Sequence, residues 1–434
     1  MQLMSTIANN LSSQVIDIKR KKLKVAHNSN DIIVALPPEI AELILQMLDI
    51  VDYHRFSAVC KTWRSIAVAA KQKQHFSLQQ LPWLMLSSNN SSEDDDHGFF
   101  SPAHGKILKL KLPKVRGCRC CGSSWGWLIM ANDIGDNFLL NPLSRLNIQL
   151  PSQTTLSRFC SPIHDLERWF QGASYIRKAM LLTPPSISST ASTTSCNGVD
   201  YVASNCIVVA IYEVRNLGFC RPGDHAWTRF STGNVEFHFQ DMILFKDQLY
   251  AVTDDYNLVL IELDPHPKGT KVDMPCPESH DRMLKLQADV ELIYLVESCG
   301  ELLMVVRHCN FPRRNGNVRL RTFNPYITTT FKVFKLRSRG WWRWIEVDSL
   351  GDQMLFVGTN GGISLSASLF SGFRGNCIYF TDDNYWSVLL TYDGPGAACD
   401  LGMFNLDDGS IKSFLPTDSH SSVSPPVWYM PSLL

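Results

Sequence analysis

The sequence predicts an α+β multidomain chain, with a small N-terminal helical unit followed by an all-β domain that is most simply built as a β-propeller. Three observations carry that expectation. Helical periodicity is confined to one stretch near the N-terminus, the rest breaks into short β-type runs bounded by turn residues, and four of those runs share a hairpin pattern. At 434 residues the chain is also longer than a typical single domain.

The helical stretch runs from Leu36 to Arg64, LPPEIAELILQMLDIVDYHRFSAVCKTWR. Pro37 and Pro38 suit a helix start, where a fixed φ is preorganised and a missing N–H costs little, and Glu39 complements the positive helix end. Ile40, Leu43, Ile44, Met47 and Leu48 recur at the 3.6-residue period as one apolar stripe. Asp49 and Asp52 can cap the next helical segment. Phe56, Val59, Cys60, Trp63, Ile66 and Ala67 form a second stripe, with Lys61, Arg64 and Lys71 outside it. Two or three packed helices are expected. A unit of about 40 residues is near the size below which a lone apolar core does not suffice, so its apolar surface is expected to be shared with a partner or a neighbouring domain.

Leu36-Pro37-Pro38-Glu39, the Leu43-Ile44 pair, Leu48 and Val59-Cys60-Lys61-x-Trp63-Arg64 together resemble an F-box. In that family the motif binds a Skp-type adaptor and through it a cullin. The resemblance implies adaptor contacts at Leu36, Pro37, Leu43, Ile44, Leu48, Val59, Cys60, Lys61, Trp63 and Arg64. Helix-in-groove recognition is the matching physics, with apolar anchors at helical spacing dominating the energy. Cys60 reads as a structural thiol and not as a nucleophile.

Composition sets the outer bounds. The formal net charge is +0 and hydrophobic residues make up 45%, so a large core is possible, and no basic field favours nucleic acid or an anionic membrane. No apolar run approaches a bilayer span, and residues 1–22 lack a signal-peptide apolar region, so a soluble intracellular protein is expected, nuclear and/or cytoplasmic. The 13 cysteines are odd in number and dispersed, which suits reduced thiols.

Residues 1–30 read as a disordered basic arm around Lys19-Arg20-Lys21-Lys22, residues 33–75 as the helical module, and 76–434 as the β domain. Flexible loops are expected at 87–98, SSNNSSEDDDHG, and at 184–200, PPSISSTASTTSCNGVD, because neither buries enough apolar surface to order itself.

Within the β domain, Trp127–Ala131, Phe138–Leu140, Ile207–Tyr212, Leu249–Thr253, Leu258–Leu263, Ile293–Val296, Leu302–Val306, Phe331–Leu336, Met354–Val357, Cys377–Phe380 and Val388–Tyr392 read as strands. No long amphipathic helix interrupts them, so antiparallel sheets are expected rather than βαβ units. Segments starting at Leu139, Leu260, Thr322 and Met403 each combine a strand end, an Asn- or Asp-containing turn and a second strand. Their irregular spacing suits blades with insertions, and radial repetition protects strand edges.

Gly122-Ser123-Ser124-Trp125-Gly126-Trp127-Leu128, Asn141-Pro142-Leu143, Arg221-Pro222-Gly223-Asp224-x-x-Trp227-Thr228, Asp241 to Phe245 leading to Leu249 to Val252, and Pro425-Pro426-Val427-Trp428 resemble plant F-box proteins of the kelch-like type. That resemblance implies a propeller-like recognition domain whose ligand is undefined.

Candidate chemistry is sparse. Cys118-Arg119-Cys120-Cys121, with His97 or His104 upstream, lacks the spacing and the second ligand pair of a zinc site. Asp254-Asp255, Asp382-Asp383 and Asp407-Asp408 sit at strand ends and read as turn residues. The chain has no GxSxG, P-loop, HExxH or GxGxxG pattern. Trp341-Trp342-Arg343-Trp344 suits either an interface or a blade core, with core packing favoured, and Arg313, Arg314, Arg319 and Arg321 read as solvated loop charge.

The resulting expectation is a non-catalytic subunit with no cofactor, no metal and no catalytic residues. It would be the substrate-recognition subunit of a Skp-cullin-F-box ubiquitin ligase, docking the adaptor through the F-box and an unidentified target protein through the propeller. The alternative is a non-degradative protein that inhibits or sequesters a partner. A third reading, an enzyme or lectin using the central pocket, would need convergent carboxylates and aromatics there.

Overall fold

The computed structural model describes residues 38–72, 80–86, 96–112, 114–132, 134–156, 176–187, 201–202, 206–213, 215–230, 237–263, 268–272, 289–310, 327–339, 341–383, 400–413 and 426–432. They divide into two compact units, one within Met1–Leu48 and Arg55–Phe76, the other within Asp49–His54 and Ser77–Leu434.

Three helices occupy the N-terminal region, Pro38–Met47, Ile50–Ser57 and Lys61–Gln72. Asp49 caps the second, its Oδ1 accepting the Asp52 N–H at 2.8 Å, whereas Asp52 lies within the first turn instead of at the cap. The first helix packs on the third. Ala41 and Leu45 of the first helix are buried, as are Ala67 and Ala70 of the third, and small side chains are what let two short helices approach closely. The sequence stripe is therefore only partly inward. Ile40, Leu43 and Met47 are 45%, 57% and 63% exposed, because three short helices can cover one face of the first helix and no more.

The second unit is a six-bladed propeller, each blade a sheet of four or five strands. Blade one is Trp83–Met85, Asp96–Ser101 and Lys106–Lys111, with Val427–Tyr429 added from the far end of the chain. Blade two is Cys118–Ser124, Trp127–Asn132, Asn137–Leu140 and Asn147–Leu150. Blade three is Ile176–Leu181, Val208–Tyr212, Asn216–Cys220 and Thr228–Arg229. Blade four is Phe239–Phe245, Gln248–Thr253, Leu258–Glu262 and Lys268–Lys271. Blade five is Asp289–Ser298, Glu301–Asn310, Ile327–Arg339 and Trp341–Val347, and blade six is Gln353–Val357, Ile363–Ser366, Cys377–Phe380, Gly402–Asn405 and Ile411–Lys412.

Six apolar clusters hold the ring, one between each pair of neighbouring blades. The cluster joining blade six to blade one sets Met354, Phe356 and Tyr379 against Leu84, Phe100 and Trp428, so the circle is closed by packing as well as by the shared sheet of blade one. Strands read from their alternation are all found where they fall on described residues, most within one residue at either end, and the three in blade five are longer than read. Three of the four repeat segments coincide with the outer hairpin of a blade, in blades two, four and six. The turn of the Thr322 segment, the strand read at Val388–Tyr392, the basic arm at 1–30 and Arg313, Arg314, Arg319 and Arg321 lie outside the described residues.

The structure departs from expectation in three places. Asp96, His97 and Gly98, expected in a flexible loop, begin a strand paired with Lys106–Lys111, and Phe99 and Phe100 further along it pair with Trp83–Met85, because long-range pairing overrides local polarity. Ser186–Ile187 pairs with Tyr201–Val202, so the ends of the second loop form a short ribbon, while 188–200 lie outside the described residues. The sheets are antiparallel except that Gln353–Val357 runs parallel to Cys377–Phe380, since Ile363–Ser366 turns inward between them in sequence.

Gly122 is required by one close approach. A β-carbon there would collide with the Ala179 backbone carbonyl of the next blade. Gly122→Ala is expected to lower stability by about 1–3 kcal/mol, read as a shift in the urea midpoint, because the opposing atom is backbone and cannot rotate away.

Candidate functional site

The residues assigned to adaptor docking separate into two groups. Leu43 and Val59 are 57% and 58% exposed, Lys61 and Arg64 are exposed, and Ile44 and Leu48 are half-buried. Leu43 stands in a ridge with Ile40 and Met47, one helical face turned away from the packing of its own unit. Cys60 and Trp63 have local work. The Cys60 Sγ accepts the Trp63 N–H at 3.5 Å at the start of the third helix, and the half-buried Trp63 stacks on Phe56 with centroids 4.3 Å apart. Arg64 Nε donates to the Ser57 carbonyl at 3.4 Å, which ties the second helix to the third. Leu36 and Pro37 lie outside the described residues. The exposure of Ile40 and Met47 could have been found from the stripe itself, which is wider than a 40-residue unit can bury.

The propeller centre holds a polar network that alternation does not announce. Arg307, in the second strand of blade five, is fully buried. Its Nη1 donates to the Thr381 carbonyl at 2.8 Å and Asp383 Oδ1 at 3.1 Å, its Nη2 to the Asp400 carbonyl and carboxylate at 2.9 Å each, and its Nε to Thr328 at 2.7 Å. The guanidinium also lies 4.6 Å from the Phe380 ring centroid. On the blade-three side Lys178 pairs with Asp241 at 2.6 Å, and Asp241 also accepts the Leu295 and Met242 N–H groups. Burial raises the carboxyl pKa of both Asp383 and Asp241, and Arg307 and Lys178 respectively oppose that rise.

These contacts correct the reading of Asp382-Asp383 as turn residues. Asp382 is buried with an oxygen facing the Asp400 N–H, and Asp383 is an ion-pair partner. Asp407-Asp408 does serve a turn, with Asp408 accepting the Ser410 N–H at 2.9 Å. Trp341–Trp344 divides. Trp344 is buried between blades four and five, while Trp342 is 41% exposed on the outer strand.

Chemically the carboxylates around Arg307 are already engaged. Carboxylates converge with Tyr294 and Phe380, but Arg307 already engages Asp383 and Asp400, so neither is poised as an acid or base. The Cys120 and Cys309 thiols are pushed up to about 12 by burial, the opposite of an activated nucleophile. Among the described residues no three His, Cys, Asp or Glu side chains are arranged to hold a metal ion, and no helix is long and apolar enough to cross a membrane.

Comparison with known proteins agrees with this division. Residues 33–71 match the F-box domain and residues 99–405 match the KIB1-4 β-propeller. Two relatives from Arabidopsis thaliana are similar over nearly their whole length. The probable F-box protein At1g65740 is 26% identical, covering 88% of this chain and 98% of its own, and the F-box protein SKIP23 is 25% identical, covering 91% and 94%. The crystal structure of the N-terminal domain of Nup159 aligns with 80% of this chain and 78% of its own at 11% identity, with a TM-score of 0.30.

Proposed function

Since the chain belongs to the KIB1-4 β-propeller family and carries an F-box domain, we propose that it is the substrate-recognition subunit of a Skp-cullin-F-box ubiquitin ligase. The helical unit docks a Skp-type adaptor and through it a cullin, and the propeller holds the target protein. Such a subunit does no bond chemistry. It raises the effective concentration of target lysines beside a reactive thioester held elsewhere in the complex.

One observation carries the docking half of this reading, the outward apolar ridge of Ile40, Leu43 and Met47. An exposed ridge at helical spacing is what a groove on a partner accepts, and exposed Lys61 and Arg64 supply polar contacts beside it. Leu43→Asp tests it cleanly because the site is solvent-facing and folding tolerates the charge. The adaptor affinity measured by calorimetry is expected to fall about thirtyfold, or about 2 kcal/mol, as for loss of a central apolar anchor. Adaptor binding at the native level in that variant would refute the docking assignment. Degradation gives a second expectation: target half-life lengthens in cells carrying Leu43→Asp, whereas a protein that only sequesters its target leaves the half-life unchanged.

A further inference from the structure

The innermost strands of the propeller start at the same end of the central channel. Their second residues therefore gather there: Arg119 in Cys118–Ser124, Arg177 in Ile176–Leu181 and Gln240 in Phe239–Phe245. The turn between Val208–Tyr212 and Asn216–Cys220 returns to that end and delivers Arg215, held in the left-handed region at φ 67°. Arg177, Lys178, Arg215, Gln240, Thr359 and Asp383 line a single cleft at this mouth.

Among the described residues, the carboxylates beside the cleft are each engaged. Asp383 on the far wall is bound by Arg307, and Asp241 behind it is bound by Lys178. Arg215 is positioned from its outer side by Asp254 at 3.4 Å, and Gln240 lines the cleft beside it. That arrangement fixes a guanidinium at the rim with its orientation set. Arg177 lies within the electrostatic reach of both Arg215 and Arg119, and its pKa is lowered to about 9 by burial first and then by the Arg215 charge, with Asp383 opposing. Gathering guanidiniums in a partly desolvated mouth is costly, and a bound oxyanion offsets that cost while using the forked geometry of arginine.

Size narrows the class of ligand. The cleft has a volume of about 50 Å³, room for one ionic head group. We propose that this mouth seats one oxyanionic side-chain head of a target protein, a phosphate monoester or a carboxylate, between Arg177 and Arg215. The proposal rests on the reading of the propeller as the target-binding domain, and it specifies the chemistry of the target.

The test uses the full chain and three fluorescent degenerate peptide pools whose central residue is phosphoserine, glutamate or serine, with anisotropy as the readout and inorganic phosphate as competitor. The phosphoserine or glutamate pool is expected to bind at least tenfold more tightly than the serine pool, and phosphate is expected to displace it. Arg177→Gln and Arg215→Gln should each erase that preference, and Arg215→Lys should retain part of it, which separates a lost contact from a lost fold. Arg229→Gln, an exposed charge on the outer strand of the same blade, should leave the preference intact. A stronger signal from phosphoserine assigns a phosphorylated target, and equal signals assign an acidic one. Equal binding of all three pools, or an equal loss in Arg229→Gln, overturns the proposal. Adaptor affinity measured on the same preparations is independent of this outcome, so a failure here is distinguishable from a failure of the docking assignment.

Discussion

Arg307→Ala is expected to lower the stability of the propeller by about 3–5 kcal/mol, the usual cost of removing one partner from a buried ion pair. The cause is what remains behind. Arg307 is fully buried and supplies the charge facing Asp383 and Asp400, and it ties the Thr381 and Asp400 carbonyls of blade six to the Thr328 hydroxyl in blade five. Alanine leaves two carboxylates in a desolvated site and releases those links together. Urea unfolding monitored by tryptophan fluorescence reads the effect. Asp383→Asn combined with Arg307→Ala should cost less than the sum of the single changes, because neutralising the orphaned carboxylate removes part of the penalty.

The same variant carries a signed pH dependence. Burial already raises the Asp383 carboxyl while Arg307 holds it down, so without Arg307 the folded-state value rises further. A carboxyl with a raised folded pKa favours folding while protonated and loses that contribution as pH climbs through the raised value. The deficit of Arg307→Ala should therefore be smallest below the ordinary aspartate range, near about pH 3.9, and should widen as pH rises. A deficit that is flat with pH, or under about 1 kcal/mol, would mean that the network is solvated and the buried-charge account is wrong.

How much of this could be read from the sequence depends on how local each signal is. The helices and most strands were legible because periodicity and turn residues are encoded within a few positions, and the repeats at Leu139, Leu260 and Met403 do mark blade hairpins. Blade-one strands such as Asp96–Ser101 were not, since their polar start is stabilised by pairing with Lys106–Lys111, a contact that local polarity does not announce. The residues proposed for docking were named from their string, yet the burial of Ala41 and Leu45 in place of Leu43 depends on which face the third helix covers. The channel network was the hardest to see. Arg307, Lys178 and Asp241 are charges inside otherwise apolar strands, far from their partners in the chain, and only the packing of one blade on the next brings the pairs together. Their one local trace is the charge itself, standing where a core strand calls for an apolar residue, as in LLMVVRHC.

The second large effect concerns closure of the ring. Val427–Tyr429 pairs with Trp83–Met85, so the two ends of the propeller domain share blade one. Trp428 and Tyr429 are both fully buried. Trp428 meets Phe356 of blade six edge-on with centroids 5.1 Å apart, and Tyr429 packs on Trp83 and Phe99 and donates its hydroxyl to the Gly126 carbonyl of blade two at 3.2 Å. This short strand therefore contacts three blades. Trp428→Ala is expected to cost about 3–5 kcal/mol, as for other buried aromatic truncations. Ending the chain after residue 425 should cost more, because it removes both aromatics and also exposes the Trp83–Met85 backbone edge to water and to other chains. In a propeller each blade is held by its neighbours, so an opened ring loses the clusters on both sides of blade one before the distant blades respond. Limited proteolysis should accordingly cut the truncated chain first within residues 83–111, while the blade-four and blade-five strands persist longer. Cleavage spread evenly over all six blades, or protease resistance equal to that of the intact chain, would show that the ring does not depend on this strand.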